Sequence, residues 1–157
     1  MKEIYTLMIE LVQCMMPRAE AWKRSIEITA DTSLDDLHLF IQEVIGFDND
    51  HLYAFYTAKT LYGQRARSFS FPLDMGIFTL DEDEQPDTPL AQVFPLPKGH
   101  FLFYLFDYGD DWRFRIRKTN RKTQFATEGV IYPRVVSGVG ENPEQYPAWD
   151  DDDPDDE

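Results

Sequence analysis

The stretch Phe101–Phe114, FLFYLFDYGDDWRF, decides how the rest of the chain is read. Six apolar residues, Phe101–Phe106, run into Asp107-Tyr108-Gly109-Asp110-Asp111, and Trp112 follows at once. An apolar run of strand length, closed by an Asp/Gly cluster, predicts a buried strand entering a hairpin. In the residues that follow, Trp112, Phe114 and Ile116 alternate with Arg113, Arg115 and Arg117. That period predicts a second arm, Trp112–Thr119, with one apolar and one cationic face. The turn itself gathers three carboxylates and two aromatics at one edge of the core, where recognition or chemistry would sit.

N-terminal to the hairpin, Ile4–Met15 is rich in Ile, Leu, Val and Met and predicts a largely buried strand that Pro17 ends. Trp22, Ile26 and Ile28 alternate with Lys23, Ser25 and Glu27, a half-buried strand, so residues 17–21 link two antiparallel neighbours. Leu34, Leu37, Phe40, Ile41, Val44 and Ile45 fall at helical spacing. Thr32 or Ser33 caps that helix, Asp35 and Asp36 lie at its positive end, and Gly46 stops it. His51–Tyr56, Phe69–Phe71 and Ile77–Leu80 are strand candidates, and Val130–Val136 is a last one. Thr88-Pro89 supplies a cap and a first-turn proline for a short second helix through Val93. Strands, one good helix and then more strands predict an α+β fold, not a doubly wound parallel sheet.

At 157 residues the natural count is one domain, residues 1–140, and a chain of this size buries roughly two thirds of its unfolded surface. The net charge is −14, yet residues 141–157 carry nine acidic side chains and no basic ones. The remainder is only mildly acidic. The run Asp150–Glu157 cannot bury itself, so residues 141–157 read as an acidic, disordered tail. Such a charge disfavours direct grip on a nucleic-acid backbone, which needs Lys and Arg to displace counterions. A single cysteine, Cys14, excludes an internal disulfide and fits a reducing, cytoplasmic setting; its apolar surroundings make it a small core residue. No apolar stretch has the length to span a bilayer. Glu3 and Glu10 spoil Ile4–Met16 as a secretory signal.

Several phrases resemble one family, the plasmid pRiA4b ORF-3-like proteins, which also occur as insertion-sequence passenger proteins labelled TnpR. They are Trp22-Lys23-Arg24 before Ile26-Glu27-Ile28, then Thr32–His38, Ile41-Gln42, Gly46-Phe47, and His51-Leu52 with Phe55. The aromatic strand with Asp-Tyr-Gly-Asp-Asp-Trp, Tyr104–Trp112, is the hallmark, and Tyr132-Pro133-Arg134, Gly138 and Asn142-Pro143-Glu144 close the match. The resemblance implies a compact α+β roll, a mixed, mostly antiparallel sheet packed on one main helix at about residues 33–45. It implies little about activity. Two departures weaken an enzyme reading: family members usually carry His where Phe114 stands, and no paired glycines follow Glu144.

Asp107, Asp110 and Asp111, joined by Glu144, could hold a divalent cation such as Mg²⁺. The competing account is a plain hairpin in which Asp107 bonds its own backbone and Gly109 takes a left-handed conformation. His38, His51 and His100 could converge with Asp107 as an acid/base or zinc set, or serve as boundary and strand-start residues. Arg113, Arg115, Arg117, Lys118, Arg121 and Lys122 form a basic face beside Tyr108 and Trp112. It could grip a nucleic-acid strand, receive the acidic tail, or be solvated. Trp149, among carboxylates, suits docking into a basic groove.

The reading taken is a binding or adaptor module of a mobile-element-associated family with a protein partner, no cofactor and no membrane. Its binding residues are Tyr108, Asp110, Trp112, His38, His51, Arg113, Arg115 and Trp149. One alternative is a metal-assisted hydrolase using Asp107, Asp110 and a histidine, His51 foremost. The other is a nucleic-acid mimic acting through the acidic tail.

Overall fold

The computed structural model describes residues 2–14, 21–70 and 84–145. Eight strands and one helix follow in the order β1 (Glu3–Gln13), β2 (Lys23–Thr29), α1 (Leu34–Ile45), β3 (Tyr53–Ala58), β4 (Arg65–Phe69), β5 (Phe101–Phe106), β6 (Trp112–Lys118), β7 (Gln124–Phe125) and β8 (Arg134–Val139). They form one sheet in the order β4-β3-β5-β6-β1-β2-β8, with β7 paired to β1 beyond the end of β6. Every ladder between named strands is antiparallel. The architecture is mostly β with one helix.

The hairpin reading of Phe101–Phe114 holds in detail. β5 and β6 pair from Leu102 with Ile116 to Phe106 with Trp112. β1 extends the sheet from β6, opposing Ile9 to Ile116 and Leu11 to Phe114. The two-residue period then sorts side chains. Tyr5, Leu7, Ile9, Ile26, Ile28, Tyr104, Phe106, Phe114 and Ile116 face one side, where they meet α1 in the main core.

Helix α1 buries Leu34, Leu37, His38, Ile41, Gln42 and Ile45, one stripe at i, i+3 and i+4 spacing. Ser33 is its N-cap and accepts from the Asp36 N–H at 3.1 Å. The Leu34 and Asp35 N–H groups, otherwise unpaired in a first turn, donate to the carbonyls of Thr88 and Pro86. Gly46 ends the helix at φ +81°, and its N–H and that of Phe47 both return to the Gln42 carbonyl.

Several boundaries differ from the sequence expectation. The short second helix is a single 3-10 turn, Leu90–Gln92. Thr88 does not cap it; its hydroxyl turns back to the Gln85 carbonyl. The Leu90 and Ala91 N–H groups donate instead to Thr32 and Ala30, and Pro95 leaves no room for another turn. The last strand starts at Arg134 rather than Val130, after Pro133, which has no N–H to give a ladder. β4 occupies Arg65–Phe69, earlier than Phe69–Phe71, while Ile77–Leu80 lies outside the described residues. β7 was not foreseen; two residues carry no period to read.

The other sheet face carries a smaller cluster of Tyr56, Ala58, Phe103 and Leu105, with Leu61 and Phe101 packed against it. β3 is consequently buried along its whole length. Residues 141–145, assigned by sequence to the tail, pack against the fold: Pro143 and Gln145 are buried. Asn142 accepts from the Trp22 indole at 2.8 Å and donates to the Val44 carbonyl at 3.0 Å. Gln145 accepts from the Asp48 N–H at 2.7 Å and donates to Asp50 at 2.9 Å.

Candidate functional site

The β5–β6 turn places the acidic residues singled out by sequence. The Asp111 N–H donates to the Asp107 carbonyl at 2.7 Å, closing a loop of one helical turn. Left-handed backbone falls on Asp107 (φ +62°) and Asp111 (φ +56°), not on Gly109 as expected. Short carboxylate side chains tolerate that conformation because they bond locally. Asp107 Oδ1 accepts from the Asp110 N–H at 3.3 Å, and Asp111 Oδ1 receives the Arg113 Nε at 2.7 Å.

Asp107 is 6% exposed, and its Oδ2 lies 3.3 Å from His51 Nε2, which is also 3.6 Å from Asp50. Desolvation, then the charge of Asp107, raises the Asp110 carboxyl pKa above its ordinary value, with His51 acting the opposite way. Asp107, Asp110 and His51 are therefore brought together. Glu144 is exposed on the segment anchored by Asn142 and Gln145, and among the described residues no set of three His, Cys, Asp or Glu is arranged to hold a metal ion.

His38 belongs to a different assembly. Its Nδ1 lies 2.5 Å from the Tyr104 hydroxyl, its Nε2 2.7 Å from Asn49 Oδ1, and its ring stacks on Tyr53 at 3.7 Å. The Gln42 amide donates to Tyr104 at 3.0 Å and accepts the Asn49 N–H at 3.0 Å. One proton arrangement satisfies all four groups: Tyr104 donates to His38 Nδ1, and Nε2–H donates to Asn49. Burial pushes the His38 pKa down, which agrees with a neutral ring, and pushes the Tyr104 hydroxyl up. This closed ring ties α1 to β5 and to the turn before β3. His100, with Nδ1 3.4 Å from the Lys98 carbonyl, joins neither group.

The tryptophans separate likewise. Trp112 is 5% exposed and turned into the main core against Phe47, its ring edge-on at 4.8 Å, so it is not part of the basic face. Phe114 is fully buried between Trp22 and Tyr104. Tyr108 is half-exposed, and its hydroxyl donates to the Tyr53 carbonyl at 3.3 Å. Trp149 lies outside the described residues.

The cationic face of β6 lies opposite α1. Arg113 donates to the Tyr56 hydroxyl at 2.7 Å and stacks 4.5 Å from the ring of Tyr62, whose hydroxyl donates to Asp111 at 3.0 Å. Arg65 stacks over Tyr56 at 4.0 Å. Arg115 pairs with Glu10 at 2.6 Å and lies 5.1 Å from the ring of Phe101. Arg117 is exposed. Tyr62 is 64% exposed. Sequence reasoning found the β6 arginines but missed Tyr56, Tyr62, Arg65 and Phe101. The alternation on β6 was visible, whereas their convergence depends on strand order.

The fold and these surfaces define a two-layer α+β module, one helix on the inner face of an antiparallel sheet and arginines stacked on aromatics on the outer face. The chain belongs to the plasmid pRiA4b ORF-3-like protein family, whose model matches residues 3–146. A solved protein of unknown function from Methanosarcina mazei Go1 has the same fold, with a TM-score of 0.67 and 24% identity. That match covers 87% of this chain and 70% of the other. None of the curated proteins matches the chain. No helix among the described residues is long and apolar enough to cross a membrane.

Proposed function

We propose that the chain is a binding module that docks an acidic segment of a protein partner on the outer sheet face, as an adaptor in a family associated with mobile elements. The observation that carries this reading is the array of Arg65, Arg113 and Arg115 stacked on Tyr56, Tyr62 and Phe101. Arg and Tyr dominate interface hot spots because each joins a large contact area to fixed hydrogen-bonding groups. Among the described residues, the ion pairs of Arg65, Arg113, Arg115 and Arg117 are those of Arg113 with Asp111 and Arg115 with Glu10, so the patch is locally positive in an acidic chain. Charge complementarity then favours an acidic partner, and the remaining acidic surface opposes indiscriminate binding of long polyanions.

Titration of a short Glu- and Tyr-containing peptide, followed by amide NMR shifts, tests this. Shifts confined to Tyr62, Arg65, Phe101 and β6, abolished by Arg115→Glu, are expected. Shifts produced by oligothymidylate and not by the peptide would assign the face to single-stranded nucleic acid. No shift with either probe would overturn the proposal.

The contact of Asp107 with His51 and the raised Asp110 support a second reading, acid/base hydrolysis with or without a divalent metal. Turnover of a phosphodiester or ester substrate, lost in Asp110→Asn, would replace the first reading with this one. The mimic reading rests on the acidic segment 141–157, of which residues 146–157 lie outside the described residues.

A further inference from the structure

The two edges of the sheet are built differently. At one edge, β4 reads RARSF, and residues 68–70 exchange backbone hydrogen bonds with Glu84. Arg67 holds the Glu84 side chain by two bonds of 2.7 Å. Charge and a covering segment are the ordinary protections of a sheet edge. At the other edge, β8 reads RVVSGV, and all six residues are exposed. Among the described residues its ladder partner is β2 alone, with the Arg24 guanidinium taking the Val139 carbonyl. No charge interrupts Val135–Val139.

Of the nine large hydrophobic residues exposed among the described ones, Ile131, Val135, Val136 and Val139 fall within this one short segment. A register shift between Ser25 and Ile26 leaves Val136 with no partner on β2. Among the described residues, three of these nine, Val135, Val136 and Val139, thus lie on the one strand at this edge.

We infer that β8 is a homodimer edge: two copies add β8 to β8 antiparallel, joining their sheets about a two-fold axis. An open edge offers N–H and C=O groups to any strand, and an antiparallel copy of the same strand is complementary to it by symmetry. The ends of the strand favour the copy over an arbitrary peptide. Antiparallel addition sets the Arg134 end of one chain beside the Val139–Glu141 end of the other, twice per dimer. Arg134 gives Nε and one terminal nitrogen to Glu27 at 2.8 Å, and its guanidinium has further N–H donors for a second carboxylate. Val135, Val136 and Val139 leave water in the same step. This inference concerns the sheet edge and is independent of the outer face.

Sedimentation velocity across a range of protein concentrations tests it, combined with hydrogen exchange of the β8 amides. A concentration-dependent dimer is expected, with β8 amides more slowly exchanging in the dimer than in the monomer. Val139→Lys, which places a charge on the edge without removing an N–H, should weaken association at least about tenfold with unchanged circular dichroism. Glu141→Arg, which sets a second cation beside Arg134 of the other copy, should also weaken it. A monomer throughout the range overturns the inference. A dimer indifferent to Val139→Lys, or one with unprotected β8 amides, overturns it equally.

Discussion

Trp22 and Asn142 are joined by a 2.8 Å hydrogen bond across 120 positions of chain. The indole is 1% exposed, and the same Asn142 oxygen also receives Arg24 at 3.0 Å. The segment after β8 is therefore fastened to the second strand and, through the Val44 carbonyl, to the end of α1. Asn142→Ala leaves a buried indole N–H unsatisfied, a loss of about 2 kcal/mol. Urea unfolding should show that decrease; Asn142→Asp, which keeps an acceptor, should lose less.

Gly140 makes the turn of that strap at φ +87°, and a Cβ there would stand 1.9 Å from the Ala21 carbonyl oxygen. Both the backbone conformation and the contact exclude a side chain. Gly140→Ala should cost about 3 kcal/mol. Gly129, at φ +85° with nothing near its Cβ position, should lose less on the same substitution. Parallel thermal melts compare the two.

The ring formed by His38, Tyr104, Gln42 and Asn49 predicts a pH dependence. Burial lowers the native His38 pKa below the unfolded value of about 6.5. The unfolded chain then binds the proton first as pH falls. The stability due to the neutral ring is complete above about 6.5 and declines through the interval down to the lowered native value. Denaturation between neutral and mildly acidic pH should show this slope, flattened in His38→Gln. Tyr104→Phe should lower stability at neutral pH by about 2 kcal/mol, because Gln42 and His38 lose their common partner.

Asp110 carries the opposite sign. Its native carboxyl pKa is raised, so its ionised form opposes folding above that value, and the effect fades as pH falls towards the ordinary value of about 3.9. Asp110→Asn should raise the melting temperature at neutral pH and give no gain in strong acid. The neutral side chain no longer opposes Asp107, while the Asp110 N–H keeps its bond to that residue.

Local pattern carried much of the architecture. The apolar run at Phe101, the alternation after Trp112, and the Ser33 and Gly46 signals each report a preference of adjacent residues. Those elements stand where the sequence placed them. Boundaries failed where partners distant in the chain compete. Thr88–Val93 has a capping pattern, yet the N–H groups of Leu90 and Ala91 go to Thr32 and Ala30. Val130–Val136 is apolar enough for a strand, but the β2 register and Pro133 move it to Arg134–Val139.

Candidate sites divide on the same line. His51 and Asp107 meet because β3 lies beside β5, and the Asp107 N–H is held by the Leu52 carbonyl at 2.9 Å. Trp112 and Arg113 are adjacent in sequence but lie on opposite faces, so the proposed binding surface loses the first and keeps the second.

By itself the sequence determined strands β1, β2, β5 and β6, helix α1, the apolar side of β2 and β6, and the family through the order of its phrases. These follow from bonding and solvation within a few residues. Tertiary structure alone decided that Tyr62 and Arg65 converge on the arginines of β6, that His38 is buried within a closed ring that favours its neutral form, and that β8 is left at an edge. Each depends on strand order and register, which set distances between residues far apart in the chain and which no local period encodes.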